Sequence, residues 1–428
     1  MSIQSAKGTY DILPTEVNKW HKVEQIMKDL CATYHYKEIR TPIFESTDLF
    51  VRGVGESTDI VSKEMYTFAD KGNRSITLRP EGTAPVARSY VEHKLYADAN
   101  QLTKLFYLGP MFRYERMQKG RSRQFHQFGV EALGGVNPSI DAEVITLSVN
   151  LIKRLGLKEV KVAINTLGDL ESRTKYREAL VTHFMPVKQD LCNDCQKRLE
   201  MNPLRVLDCK VDKNHPKMTT APKMLDYLNQ TSREFFDRVL SDLNDLEIDY
   251  TIDHSLVRGL DYYNHTVFEI MSKVEGFGAQ TTLGAGGRYN GLVEQIGGPA
   301  TPGVGVAFGI ERLLLALEAE KIDLIDDDSL DVFLVSMNEA TDQFAFKVCE
   351  SLRVSNIKAD KDYFGRKVKA QFKQADKLKA KFTIVIGESE LENGKVVLKN
   401  MKTQEQTDVT IDNIVTVVNQ KLEEINEK

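Results

Sequence analysis

The chain has 428 residues, 41% hydrophobic and 28% charged, an ordinary globular balance with room for two or three cores. A formal net charge of −5 excludes a general attraction to nucleic acid, so any RNA contact must come from local basic patches. There is no signal-like apolar start and no run of membrane-spanning length, and the cysteines number five; a protein of the reducing cytoplasm, with no membrane partner, is expected.

After a turn-rich opening the pattern becomes helical. Val17, Trp20, Val23, Ile26, Met27 and Leu30 recur at helix spacing, with Thr15 as the expected cap. Residues 36–45 read as one strand ended by proline. Residues 65–68 and 75–79 predict a hairpin turning at 71–74. The sequence Arg79-Pro-Glu-Gly-Thr83 follows. A carboxylate and a hydroxyl there suit an ammonium group, with Gly82 permitting close approach; equally, this is a turn before a helix capped by Thr83.

Residues 105–135 hold the densest polarity. Two apolar-rich runs flank a basic turn at 118–122, which predicts an antiparallel hairpin. Side chains alternate along a strand, so Arg113 and Glu115 share one face. Phe125, Gln127, Gly129 and Glu131 share one face of the return strand. If the faces coincide, they floor a polar cleft, with Phe112, Tyr114, Phe128 and Val130 behind it. A half-buried hairpin rarely aims so much polarity one way, because buried charges need partners.

Residues 138–156 read as a helix and 160–167 as a strand. Residues 168–250 are charged, helix-like and free of the glycine motifs on either side, which predicts an inserted helical subdomain. Cys192, Cys195, Cys209 and His215 loosely match a Cys3His zinc site. The intervening 196–207 read as helix and loop rather than a ribbon knuckle, so free thiols and no metal are expected. Strands at 250–253 and 267–270 flank Arg258-Gly-Leu-Asp-Tyr-Tyr263, which can present a charge and phenols to one pocket. The glycines of 283–291 would let backbone lie close to a ligand. No strand–GxGxxG–helix unit is present, which argues against a dinucleotide site.

A glycine-bearing strand at 303–309 leads into a helix with Arg312 near its start. The acidic stretch 323–331 is the best domain boundary. Beyond it strands at 332–335, 358–360, 382–386 and 396–398 alternate with helices ending near 353, spanning 368–379 and starting at 412, a small α/β domain. Its 366–381 segment turns Val368, Phe372, Ala375 and Leu378 inward and lysines outward, a solvated face or an RNA footprint.

Phe112-Arg113-Tyr114-Glu115, a loop, then Arg121-x3-Phe125 resembles motif 2 of class II aminoacyl-tRNA synthetases. The first helix, strand and Pro42 resemble motif 1, the dimer interface of that class, and residues 303–312 resemble motif 3. Gln127, Glu131, the 258–263 hexapeptide and the 283–291 glycines look like histidyl-tRNA synthetase signatures, and the likeness runs end to end. It implies an α+β catalytic domain on an antiparallel sheet over 1–325, with the helical insertion at about 168–250. An α/β anticodon-binding domain would follow over 329–428. It further implies a cytoplasmic homodimer that activates L-histidine with ATP, as the Mg2+ complex, and loads tRNA(His).

The same resemblance assigns roles. Arg113 and Arg258 would face each other at the α-phosphate as the catalytic pair, Arg113 also reaching the histidine carboxylate. Glu115 would accept from the adenine amine and Phe125 stack on the base. Arg121 and Arg312 would bracket the outer phosphates. Glu81, Gly82, Thr83 and Gln127 would hold the amino group. Glu131 and Tyr263, with Tyr262 alongside, would meet the imidazole, which offers a donor and an acceptor at fixed positions. Such a pocket rejects analogues lacking those groups by roughly 10⁴–10⁵. No editing domain is therefore expected, and the insertion would touch the tRNA acceptor arm. Two other readings remain: a synthetase for another amino acid, which the histidine signatures oppose, and the non-charging regulatory paralogue. The paralogue would lack motif residues and the C-terminal domain.

Overall fold

The apolar runs of the first three quarters of the chain fold into one large sheet. The structure is a computed structural model that describes residues 3–55, 58–98, 101–274, 282–324 and 329–426. Its strands in chain order are β1 (Lys37–Glu38), β2 (Phe44–Ser46), β3 (Tyr66–Ala69), β4 (Ser75–Leu78), β5 (Thr103–Phe112), β6 (Gln124–Leu133), β7 (Val160–Thr166), β8 (Thr251–Ile252), β9 (Asn264–Ser272), β10 (Thr282–Arg288) and β11 (Gly303–Gly309). Eight of them run in the order β1–β5–β6–β11–β10–β9–β7–β8, antiparallel except at the β1–β5 and β7–β8 edges. β2, β4 and β3 make a separate small antiparallel sheet.

Alternation decides which face of the large sheet is dry. Phe106, Phe128, Val130, Phe268 and Phe308 bury one face beneath the helices Pro14–Thr33, Ser139–Arg154 and Ile310–Ala319. Rings of Phe106, Phe128 and Phe308 follow one another at 6.3 and 6.4 Å. Each such side chain contributes roughly 1.5–3 kcal/mol by leaving water. The odd-numbered residues of β5, among them Tyr107 and Met111, point the other way, into a core shared with Tyr262 and Tyr263. Between the layers of the dry face, Arg288 is fully buried on Asp141, its carboxylate meeting both Nε and Nη2.

Several local expectations give way to geometry. The first helix begins at Pro14 with Leu13 as N-cap, because proline is preset for the first helical position; Thr15 lies inside the first turn. The single strand read at 36–45 divides around Pro42 into β1 and β2, which join different sheets. Tyr114 lies beyond the end of β5 and is 54% exposed, with the Arg123 guanidinium 3.7 Å from its ring centroid, so it does not pack behind the cleft.

Between β7 and β8 the regular elements are all helices, from Leu170–Phe184 to Gln230–Asp245. This insertion joins the same compact unit, Met1–Leu324, and its Phe236, Val239 and Leu243 enter the main core. The thiols of Cys192, Cys195 and Cys209 converge there with a fourth group, Asp212. His215 is elsewhere: its Nδ1 accepts from the Lys217 N–H and caps the turn Pro216–Thr219.

The second unit, Ile325–Lys428, holds β12 (Val332–Ser336), β13 (Ala359–Lys361), β14 (Phe382–Ile386), β15 (Lys395–Asn400) and β16 (Gln406–Thr410), ordered β13–β12–β14–β15–β16. The first three are parallel and the rest antiparallel. Residues 325–328 of the acidic boundary lie outside the described residues, whereas Asp331 belongs to this unit through Lys381 at 2.8 Å. The helix Val368–Lys377 turns Ala375 inward beside Val368, Phe372 and Leu378. Gln371 is also buried, bonded to the backbone of Ser336.

Candidate active site

One cleft of about 280 Å³ opens on the sheet face opposite the phenylalanine core. Its walls carry Glu81, Thr83, Arg113, Glu115, Arg121, Phe125, Gln127, Arg258, Tyr262, Tyr263 and Arg312, eleven of the thirteen residues singled out from the sequence. Gly82 and Glu131 are the two that do not line it. A larger hollow of about 380 Å³ shares Gly120, Ser122 and Glu311, but its other walls include Trp20, Ile322 and four leucines, and no arginine lines it among the described residues.

The hairpin supplies the first wall. β5 and β6 pair from Thr103 opposite Leu133 to Phe112 opposite Gln124, and the Arg113 N–H continues the ladder to the Arg123 carbonyl. Arg113 Nε donates to the Pro80 carbonyl at 2.8 Å, and its guanidinium lies 5.4 Å from the Phe125 ring centroid. Glu115 draws in Arg121 at 2.9 Å and stands 3.9 Å from Arg113. Opposite, Arg258 is paired with Glu269 at 2.5 Å and lies 5.5 Å from the Tyr263 ring centroid. Glu269 also accepts from the Thr282 hydroxyl at 2.9 Å.

Arg312 comes from the first turn of the helix after β11, where its Nη1 donates to the Thr282 carbonyl at 2.8 Å. Neighbouring Glu311 anchors that turn by accepting from the His126 N–H at 2.9 and 3.0 Å. Burial, and then the positive charge of Arg121, lower the pKa of Arg312. Cations crowded in this way favour an anionic guest with several charges. Four buried wall atoms, Tyr107 Oη, Arg121 Nε, Gln127 Oε1 and Arg258 Nε, have no hydrogen-bond partner among the described residues.

The ammonium-binding segment differs from its sequence reading. Thr83 is the first helical residue and Gly82 the N-cap of Thr83–Glu92. Glu81 performs the capping, accepting from the N–H groups of Thr83 and Ala84 at 2.7 and 2.9 Å. Burial raises the Glu81 pKa, and those two N–H groups oppose the rise. A Cβ on Gly82 or on Gly129 would strike the Tyr107 ring, so both glycines make room for Tyr107 rather than for a ligand. In the 283–291 run, Gly284 lines the cleft, yet a side chain there would meet Phe308, and one on Gly286 would meet the Gly305 carbonyl.

Glu131 sits one layer below the wall and is 1% exposed. It accepts from the Thr83 hydroxyl at 2.7 Å and from the Tyr289 hydroxyl. Burial pushes its carboxyl up to about 8, against the lowering effect of those two hydroxyls.

Tyr107, Glu269, Thr282 and Tyr289 were not foreseen. Tyr107 shares the odd parity of Arg113 along β5, so extending the alternation backwards would have found it. Glu269 is a lone carboxylate inside the apolar run of β9, which is itself a signal, since a buried charge needs a partner. Nothing local marks Tyr289 or Thr282, because their meaning comes from β10 crossing beside β9 and β11.

A family model described as histidyl-tRNA synthetase matches residues 8–313, and one described as anticodon binding domain matches 331–421. Histidine–tRNA ligase 1 of Shouchella clausii is 56% identical over 422 residues, covering 99% of each chain. Histidine–tRNA ligase of Halalkalibacterium halodurans is 56% identical over 427 residues, covering 100% of both. Apo histidyl-tRNA synthetase of S. aureus superposes with a TM-score of 0.84 at 51% identity, covering 97% of this chain and 100% of that one.

Proposed function

The chain belongs to the histidyl-tRNA synthetase family, and from that premise we infer that it joins L-histidine to tRNA(His) using ATP. In the first step a histidine carboxylate oxygen attacks the α-phosphate, forming histidyl-adenylate as pyrophosphate leaves. In the second, the 3′-terminal ribose hydroxyl takes the histidyl group and AMP leaves. Such displacement depends on positioning and charge neutralisation more than on covalent catalysis.

The observation that carries the reading is the single cleft in which Arg113, Arg121, Arg258 and Arg312 surround Gln127, Tyr263 and Glu81. In this assignment Arg113 and Arg258 hold the α-phosphate from two sides, and Arg121 with Arg312 hold the outer phosphates. Phe125 and Glu115 take the adenine. Glu81, Thr83 and Gln127 hold the amino group. Tyr263 on the wall and Glu131 beneath it meet the two imidazole nitrogens, Glu131 as acceptor. Glu115, Glu269 and Glu311 are already engaged by Arg121, Arg258 and His126. Magnesium therefore enters with the nucleotide, and when bound it neutralises phosphate charge.

The second unit takes the anticodon. Its supports are the matched anticodon-binding family model, exposed Tyr363 and Phe364, and the outward lysines of Val368–Lys377. The insertion takes the acceptor arm. The molecule works as a homodimer in the cytoplasm; Ile43, Phe44 and Phe68, exposed together around the small sheet, are the apolar surface such pairing would cover. Among the described residues no helix is long and apolar enough to cross a membrane.

ATP–pyrophosphate exchange on the purified chain tests the reading. Exchange should require L-histidine and ignore the other amino acids, and tRNA(His) should be charged. Exchange with a different amino acid, or none, contradicts it.

A further inference from the structure

The insertion contains a cluster that the ligase reaction does not use. Cys192 is the N-cap of the helix Asn193–Met201 and Cys195 lies in its first turn. Cys209 follows the turn Pro203–Val206, and Asp212 opens the turn Asp212–Asn214. The sequence therefore repeats one spacing, Cys-x2-Cys and then Cys-x2-Asp. The three sulfurs and one carboxylate oxygen all lie within 4.8 Å of one another, and all but Cys192 are buried.

Two distances decide between the bland reading and a site. Cys192 Sγ and Cys209 Sγ are 3.7 Å apart. Sulfurs about 2.3 Å from a tetrahedral zinc stand roughly 3.8 Å from each other, whereas a disulfide needs about 2.05 Å. Asp212 is aimed by its neighbours: its oxygens accept from the Cys192 N–H at 3.2 and 3.1 Å, and its own N–H donates to Cys209 Sγ at 3.4 Å. Buried thiols alone pass as small hydrophobes. A carboxylate only 8% exposed among three sulfurs, with no ion pair to any described lysine, arginine or histidine, does not.

We propose that Cys192, Cys195, Cys209 and Asp212 bind one zinc ion as a closed, tetrahedral structural site. Thiolate-rich donors select zinc over magnesium or calcium. Binding exchanges the three thiol protons for the metal, with no change in oxidation state. The ion ties together both ends of 196–208. Asn202 of that loop donates to Asp261 at 3.0 Å and Arg205 to Asp59 at 2.9 Å. The zinc thus roots the support beneath the Arg258–Tyr263 loop.

The test is independent of catalysis. The full chain, expressed with zinc and purified with reductant, should hold one zinc per chain by elemental analysis. Cobalt should replace it with the visible bands of a tetrahedral thiolate site. Asp212→Asn, the milder change, should keep its far-UV circular dichroism and lose zinc to a chelator about tenfold or more readily than the parent; Cys209→Ser should abolish binding. Absence of zinc and of a cobalt spectrum in the folded parent overturns the proposal. So does zinc content unchanged in both variants, or an intact mass two hydrogens light, showing a disulfide.

Discussion

Tyr107 shows how one side chain organises its neighbours. It fills the space that Gly82 and Gly129 leave, facing Gly129 across the β5–β6 ladder. Gly82→Ala should therefore cost about 1–3 kcal/mol by overpacking, read as a lower urea midpoint at unchanged m. An unchanged midpoint would mean that the ring moves aside freely. Glu131 offers a sharper check. Its carboxyl is raised from 4.5 to about 8, so between those pH values the folded chain holds a proton that the unfolded chain has released. Stability should fall as pH climbs through that window and be lowest above it. Glu131→Gln should flatten the fall in Tm across the window and raise KM for histidine. A Tm profile parallel to that of the parent would remove Glu131 as its source. The sequence placed Glu131 on the correct strand face but not at its depth, since depth comes from Thr83 and Tyr289 closing over it.

Elements were legible where one periodicity ran long. The hairpin of β5 and β6 and the helix Ser139–Arg154 follow from apolar spacing, and the helical character of the insertion from its charged composition without glycine motifs. β16 did not, because its Gln-Thr-Asp-Val-Thr buries only Val409 and carries no apolar alternation. The helix Glu388–Asn393 was also missed, as its burial is slight throughout. The sequence pattern offers His215 as the fourth partner of the thiols; the turn at Asp212–Asn214 brings Asp212 to them instead. Around the helix Val368–Lys377, Phe364 is 79% exposed with Arg366 4.6 Å from its ring centroid. Phe364→Ala should weaken tRNA binding by about 1–3 kcal/mol, seen as a raised KM for tRNA in charging, and leave ATP–pyrophosphate exchange unaltered. Loss of exchange would place the effect in the first unit instead.

At the scale of the whole molecule, the division at Leu324 and Ile325 falls within the acidic stretch 323–331. A pairing of two copies is expected only from the family resemblance. Phe44→Glu with Phe68→Glu should convert a dimer into a monomer by light scattering, and an unshifted mass would move the interface elsewhere. Underlying all of this is the cleft that Arg113 and Arg258 both line, where the proposed function seats the α-phosphate. Histidine-dependent ATP–pyrophosphate exchange by Arg258→Ala tests it most directly. A fall of about 10²–10³-fold in kcat, with the parent's far-UV circular dichroism retained, is the predicted result. An exchange rate equal to the parent's would contradict the account.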